Sequence, residues 1–117
     1  MNRPKSLFLT EESLGIVTDL YQLTMAAGYF DQKMQDVATF ELFVRHLPKN
    51  RSYLITAGLE EVLHYLTHIK FSTEAVKFIR ELPAFNNVSN GFFEYLKNFT
   101  FSGTVYAIPE GNISFAD

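Results

Sequence analysis

Residues 37–45 constrain the fold of this chain more than any other stretch. Ala38, Phe40, Leu42 and Val44 alternate with Thr39, Glu41, Phe43 and Arg45. A period of two is the mark of a strand with one apolar face. Such a strand needs neighbours to pair with and a layer to cover that face. The rest of the chain offers both. Thr18 or Asp19 caps a stretch in which Leu20, Leu23, Met25, Ala27 and Phe30 recur at mostly helical spacing. A second helix is predicted from Tyr53 to His68, burying Leu54, Leu59, Leu63 and Leu66. A third, capped by Ser72, is predicted from Thr73 to Leu82, where Pro83 stops it. A fourth, over 91–98, turns Phe92, Tyr95 and Phe99 inward. Two β segments, 104–108 and 113–115, flank the turn Pro109-Glu110-Gly111-Asn112. The expected fold class is α+β: residues 37–45 and the late β segments around Val105 and Phe115 form one small sheet with helices packed on it.

Composition narrows the function classes. With 47% hydrophobic and 20% charged residues the chain is globular rather than disordered. A net charge of −3 argues against a nucleic-acid surface, which needs clustered Lys and Arg. Zero cysteines exclude disulfides and thiolate metal sites. No apolar run approaches the ~20 residues of a membrane helix, and the N-terminus does not read as a signal peptide. The expected compartment is the cytoplasm. Residues 1–15 read as a loose arm ending at Gly15, and 16–117 as one domain. The last strand has no return strand, so the sheet reads as interrupted, with its missing strands in further sequence. A small complete domain using those strands at an edge is the alternative. An open sheet edge on an aromatic-rich chain predicts self-association.

Few residues offer chemistry. His64 and His68 have the four-residue spacing of a metal pair, but Tyr65 stands where zinc catalysis places a Glu. Both are read as ordinary helix histidines, and His46 has no obvious partner. Glu60 and Glu61 are read as solvated. The six glycines are scattered, with no phosphate-binding loop and no nucleophile elbow. The informative segment is Thr18-Asp19-Leu20-Tyr21-Gln22-Leu23-Thr24-Met25. Asp19 suits a helix cap, and its charge suits the dipole of the first turn. Tyr21 suits either a core or an interface position, one turn from the helix start.

That segment resembles the opening motif of nicotinate phosphoribosyltransferases. Three further stretches match in the same order: Phe40-Glu41-Leu42-Phe43-Val44-Arg45 with Leu47-Pro48, Ala57-Gly58-Leu59-Glu60, and Val105-Tyr106-Ala107-Ile108-Pro109-Glu110-Gly111. The resemblance runs from about residue 15 to 115 and implies the N-terminal domain of the nicotinate/quinolinate phosphoribosyltransferase type. It implies an enzyme that joins nicotinate to 5-phosphoribosyl 1-diphosphate for NAD biosynthesis, coupled to ATP hydrolysis and assisted by Mg²⁺. It also implies a homodimer whose active sites are shared between subunits. Tyr21 would stack on the pyridine of the partner's site, with Asp19 nearby in orientation or contact with ribose or water. The catalytic residues and the Arg for the nicotinate carboxylate would lie in a barrel domain outside these residues. By this reading no catalytic or metal-binding residue, and no bound cofactor, belongs to this chain, which is inactive alone. A nicotinamide or quinolinate enzyme, or a stand-alone binding or oligomerisation module, are the other readings.

Overall fold

A computed structural model describes residues 10–115. It divides the chain into two units, one of residues 10–35 and 65–101, the other of residues 36–64 and 102–115. Helices and a small antiparallel sheet make the α+β class expected from sequence.

The first unit is helical. A 3-10 helix, Glu11–Ile16, leads into α1, Leu20–Asp31. This corrects the expectation of a loose arm to Gly15, because Leu14 and Gly15 are buried; residues 1–9 lie outside the described residues. Gly15 donates its backbone N–H to the Lys70 carbonyl at 3.1 Å. A Cβ there would stand 2.5 Å from that carbonyl oxygen and 2.7 Å from the Phe71 ring. Only glycine allows this approach.

Helix α1 ends as its backbone hydrogen bonds dictate. Lys33 N–H donates to the Phe30 carbonyl and Met34 N–H to the Tyr29 carbonyl, both at 3.0 Å, with Lys33 at φ 55°. This is a Schellman motif with lysine in the left-handed position usually held by glycine. Helix α3, Thr73–Glu81, starts where Ser72 Oγ accepts from Ala75 N–H at 3.1 Å, and Leu82 before Pro83 ends it. Helix α4 is Asn90–Lys97, and Ser89 Oγ before it donates to Asp31 at 3.0 Å, tying it to the end of α1.

The core joins α1, α3, α4 and the 3-10 turn Pro83–Phe85: Leu23, Ala27, Val76, Ile79, Phe85, Phe92, Phe93 and Leu96. Phe92 and Ile79 are fully buried. Phe85 stacks parallel to Phe92, with centroids 6.4 Å apart, and Phe92 meets Phe93 edge-on at 5.8 Å. Each buried ring contributes roughly 1.5–3 kcal/mol. Of the three α4 residues expected inward, Phe92 is buried, while Tyr95 is exposed and Phe99 is half-buried. Phe93 and Leu96 take the inward places because α3 packs on that side of α4.

The second unit departs most from the sequence reading. Residues 37–45 form no strand: Val37, Phe40 and Leu42 are 99%, 92% and 97% exposed. Alternation supplies an apolar face, but among the described residues no strand pairs with this stretch, and only Val44 of that face is even half-buried. The turn expected at Pro48-Lys49-Asn50 is present, with Arg51 N–H donating to the Pro48 carbonyl at 3.1 Å and Asn50 at φ 65°. Residues 53–58 are not helical. Leu54–Ile55 is β1, and α2 begins only at Leu59 and runs to His68, its residues 65–68 belonging to the first unit, with no buried residue. Gly58, at φ 101°, is the reason for the late start. Residues 104–108 form no strand either, so the expected hairpin is replaced by a long-range pair. β2, Ile113–Ser114, runs antiparallel to β1, with Leu54 opposite Ser114 and Ile55 opposite Ile113.

Thr56 holds that pair together. Its N–H donates to the Asn112 carbonyl at 2.8 Å, its hydroxyl to the Pro109 carbonyl at 2.8 Å, and its carbonyl accepts from Gly111 N–H at 2.9 Å. Glu110 then caps α2, its carboxylate accepting from Gly58 N–H at 2.8 Å and Leu59 N–H at 2.6 Å. A carboxylate on the first amides of a helix is favoured by hydrogen bonding and by the helix dipole.

Candidate functional site at the head of helix α1

The site is built where the chain leaves the first 3-10 helix and enters α1. Asp19 is the N-cap, extended at φ −81° and ψ 150°, as its residue type predicts. Gln22 sits three residues on, the distance from which a side chain can reach back to the cap. Its Oε1 accepts from the Asp19 backbone N–H at 3.1 Å and from the Thr18 hydroxyl, while its own N–H donates to the Asp19 carbonyl at 3.1 Å. The first turn is thus tied at both ends.

Tyr21 stands inside that tied turn. It is 59% exposed, which removes the core reading of this residue and leaves the interface one. Leu23 and Ala27, four apart, are buried on the other side of the helix and fix its rotation. Met25 is exposed as well, and the Tyr21 carbonyl accepts from the Thr24 hydroxyl at 2.9 Å. A rigid helix end therefore presents an aromatic ring to whatever lies outside the unit. Such a ring can stack on a planar ligand with little entropy to lose. Asp19 and Tyr21 come together through adjacency in sequence. Gln22 went unnoticed in the sequence reading, although Asp19-Leu20-Tyr21-Gln22 has the spacing of a capping box.

The other candidates are not brought to this place. His64 and His68 lie on α2, where the Thr67 hydroxyl lies 3.0 Å from His68 Nδ1. His46 and the Glu60-Glu61 pair are exposed. Among the described residues no group of three or more His, Cys, Asp or Glu could hold a metal ion. None of their helices is long and apolar enough to cross a membrane. A hollow of about 390 Å³ is lined by the consecutive residues 50–55, and no candidate residue borders it.

Known proteins carry similar sequences. The family model described as the nicotinate phosphoribosyltransferase (NAPRTase) N-terminal domain matches residues 16–117. Nicotinate phosphoribosyltransferase pncB2 of Mycobacterium tuberculosis (strain ATCC 25618 / H37Rv) is 39% identical over 100 residues, covering 86% of this chain and 21% of that protein. Nicotinate phosphoribosyltransferase of Mus musculus is 39% identical over 103 residues, with 86% and 19% covered, and that of Homo sapiens 37% identical over 103 residues, with 86% and 19% covered. The chain spans about a fifth of the length of the curated relatives it matches. No solved structure matches it. Because the matched stretch begins at Ile16 and takes in the whole head of α1, with the exposed Tyr21 and its capped first turn, the chain belongs to the nicotinate phosphoribosyltransferase N-terminal domain family.

Proposed function

We propose that this domain serves a nicotinate phosphoribosyltransferase by lending Tyr21 to the nicotinate pocket of a partner subunit in a homodimer. The observation that supports this reading is the exposed Tyr21 ring on a helix end held by the buried Leu23 and Ala27. In the proposed reaction the pyridine nitrogen forms a bond to the ribose C1 of 5-phosphoribosyl 1-diphosphate. The bond from C1 to the diphosphate oxygen breaks, and diphosphate leaves with its electron pair. Positive character builds at C1 on the way, so the pyridine must be held in line with the leaving group. A stacked ring supplies that alignment without bonding to the substrate.

Asp19 lies too close in sequence to Tyr21 to be neutral in this picture. Its carboxylate would repel the nicotinate carboxylate, so its part is the orientation of α1 or contact with ribose or water. The diphosphate, the ATP coupling and Mg²⁺ belong to the complete enzyme. The product would enter NAD biosynthesis.

The test is kinetic, in the complete enzyme that carries this domain. Tyr21→Ala should weaken nicotinate use by about 1–2 kcal/mol, and Tyr21→Phe, which keeps the ring, much less. Mixing a Tyr21→Ala chain with one disabled only in its barrel should restore one site per heterodimer. No recovery between chains that demonstrably exchange subunits would mean that Tyr21 does not serve a neighbour.

A further inference from the structure

We infer that Gln22 is the positioning residue for Tyr21: its side-chain amide locks the first turn of α1 and so fixes where the Tyr21 ring points. The inference rests on the reading of Tyr21 as the stacking ring and adds a residue that does not itself touch substrate.

The argument is one of geometry. First-turn amides of a helix have no partners within the helix, so this turn is the part that frays. Here a single oxygen, Gln22 Oε1, takes two donors that precede it in the chain, the Thr18 hydroxyl and the Asp19 N–H. Leu20 and Tyr21 are the residues enclosed between those donors and Gln22, so the closed ring sets their backbone directly. The Thr24 hydroxyl on the Tyr21 carbonyl adds a second tether on the same residue. Nothing in the core does this work, because the first buried residue of α1 is Leu23, on the far side of Tyr21 from the cap. Gln22 is itself exposed, so its amide is not needed for packing. A frayed turn would present the ring in many directions, and apparent affinity falls in proportion to the fraction held in the competent one.

The experiment compares Gln22→Met, Tyr21→Ala and the double variant in the complete enzyme, measuring KM for nicotinate, kcat and Tm. Methionine keeps the length and helix propensity of glutamine but removes the acceptor. The expected result is a two- to fivefold rise in KM, about the size of a lost cap expressed through the competent fraction, with kcat little changed. In the Tyr21→Ala background the same change should leave KM where Tyr21→Ala alone puts it, because Gln22 acts through the ring. An unchanged KM in Gln22→Met, while Tyr21→Ala raises it, overturns the inference and leaves the Tyr21 reading standing. An equal rise in both backgrounds also overturns it, since Gln22 would then act without Tyr21. If Tyr21→Ala itself leaves KM unmoved, it is the reading of Tyr21 that fails. Should Gln22→Met lower Tm sharply, Thr18→Val, which removes one donor only, carries the same comparison with a smaller expected rise.

Discussion

The two units spend similar apolar sequence in opposite ways. Every buried apolar side chain among the described residues lies in the helical unit: Leu14, Leu23, Ala27, Ala75, Val76, Ile79, Phe85, Phe92, Phe93 and Leu96. The other unit leaves Val37, Phe40, Leu42 and Tyr106 more than nine-tenths exposed and is ordered by the hydrogen bonds of Thr56 and Glu110. A helix satisfies its own backbone and needs only contact along one stripe. A strand must borrow its hydrogen bonds from a neighbour before its apolar face is worth burying. The same amino acids therefore make a core in one unit and a bare surface in the other.

The largest expected effect tests that contrast directly. Phe92→Ala in this chain should cost about 3–5 kcal/mol, as for a large aromatic removed from a closed core. Phe40→Ala should stay within about 0.5 kcal/mol, as for a surface position. Urea unfolding followed by helical circular dichroism measures both. Phe92→Leu, which keeps most of the volume, should fall between them. Equal losses at Phe92 and Phe40 would end the comparison.

The same contrast explains how far the sequence was readable. Helices α1, α3 and α4 were placed within about a residue because their signals are local: Asp19 and Ser72 as caps, Pro83 as a stop, and a helical period between. The side of α4 that faces inward was less legible, since Phe92, Phe93, Tyr95, Leu96 and Phe99 are all apolar or aromatic and the choice is made by α3. Residues 37–45 failed for the opposite reason. Alternation states which face would be apolar, but a partner strand is not a local property. β2 was legible within the segment 113–115, but β1 was hidden inside an expected helix, because its pairing joins residues about sixty apart. For the candidate site, the Tyr21 motif was visible as a resemblance, and its exposure came from the structure. Gln22 was within reach of a simple capping-box search.

A medium effect is expected where the second unit is held by hydrogen bonds. Glu110→Ala removes the acceptor shared by Gly58 N–H and Leu59 N–H, and helix-cap losses run at about 1 kcal/mol. The loss should be local. Hydrogen exchange should speed up at the first turn of α2 and at Thr56 and Gly111, while the amides of α3 and α4 keep their protection. Glu110→Gln, which keeps one acceptor oxygen, should do less. Uniform loss of protection across α3 and α4 would show that the helical unit depends on this cap.

The smallest effect sharpens the other side, by asking whether surface charge helps hold the helical unit. Glu94 and Lys97 on α4 form an exposed ion pair at 2.7 Å. The hydrogen bond from Lys97, and then its charge, hold the Glu94 carboxyl below its ordinary value, with Arg80 adding a minor pull. Arg80 is itself seated over the Phe93 ring, 4.5 Å from its centroid. The unfolded chain has no such partners, so there the carboxyl returns to its ordinary value. A depressed carboxyl stabilises the fold above the unfolded value, and the contribution fades as pH falls through the folded one. Exposed pairs of this kind are worth little and are screened by salt. Lys97→Met should therefore raise the Glu94 midpoint in an NMR pH titration toward the ordinary carboxylate range while hardly moving Tm at neutral pH. High salt should do the same to the native chain. A large drop in Tm on Lys97→Met would mean that charge on α4, and not only the packing of Phe92, Phe93 and Leu96 beneath it, keeps the helical unit folded.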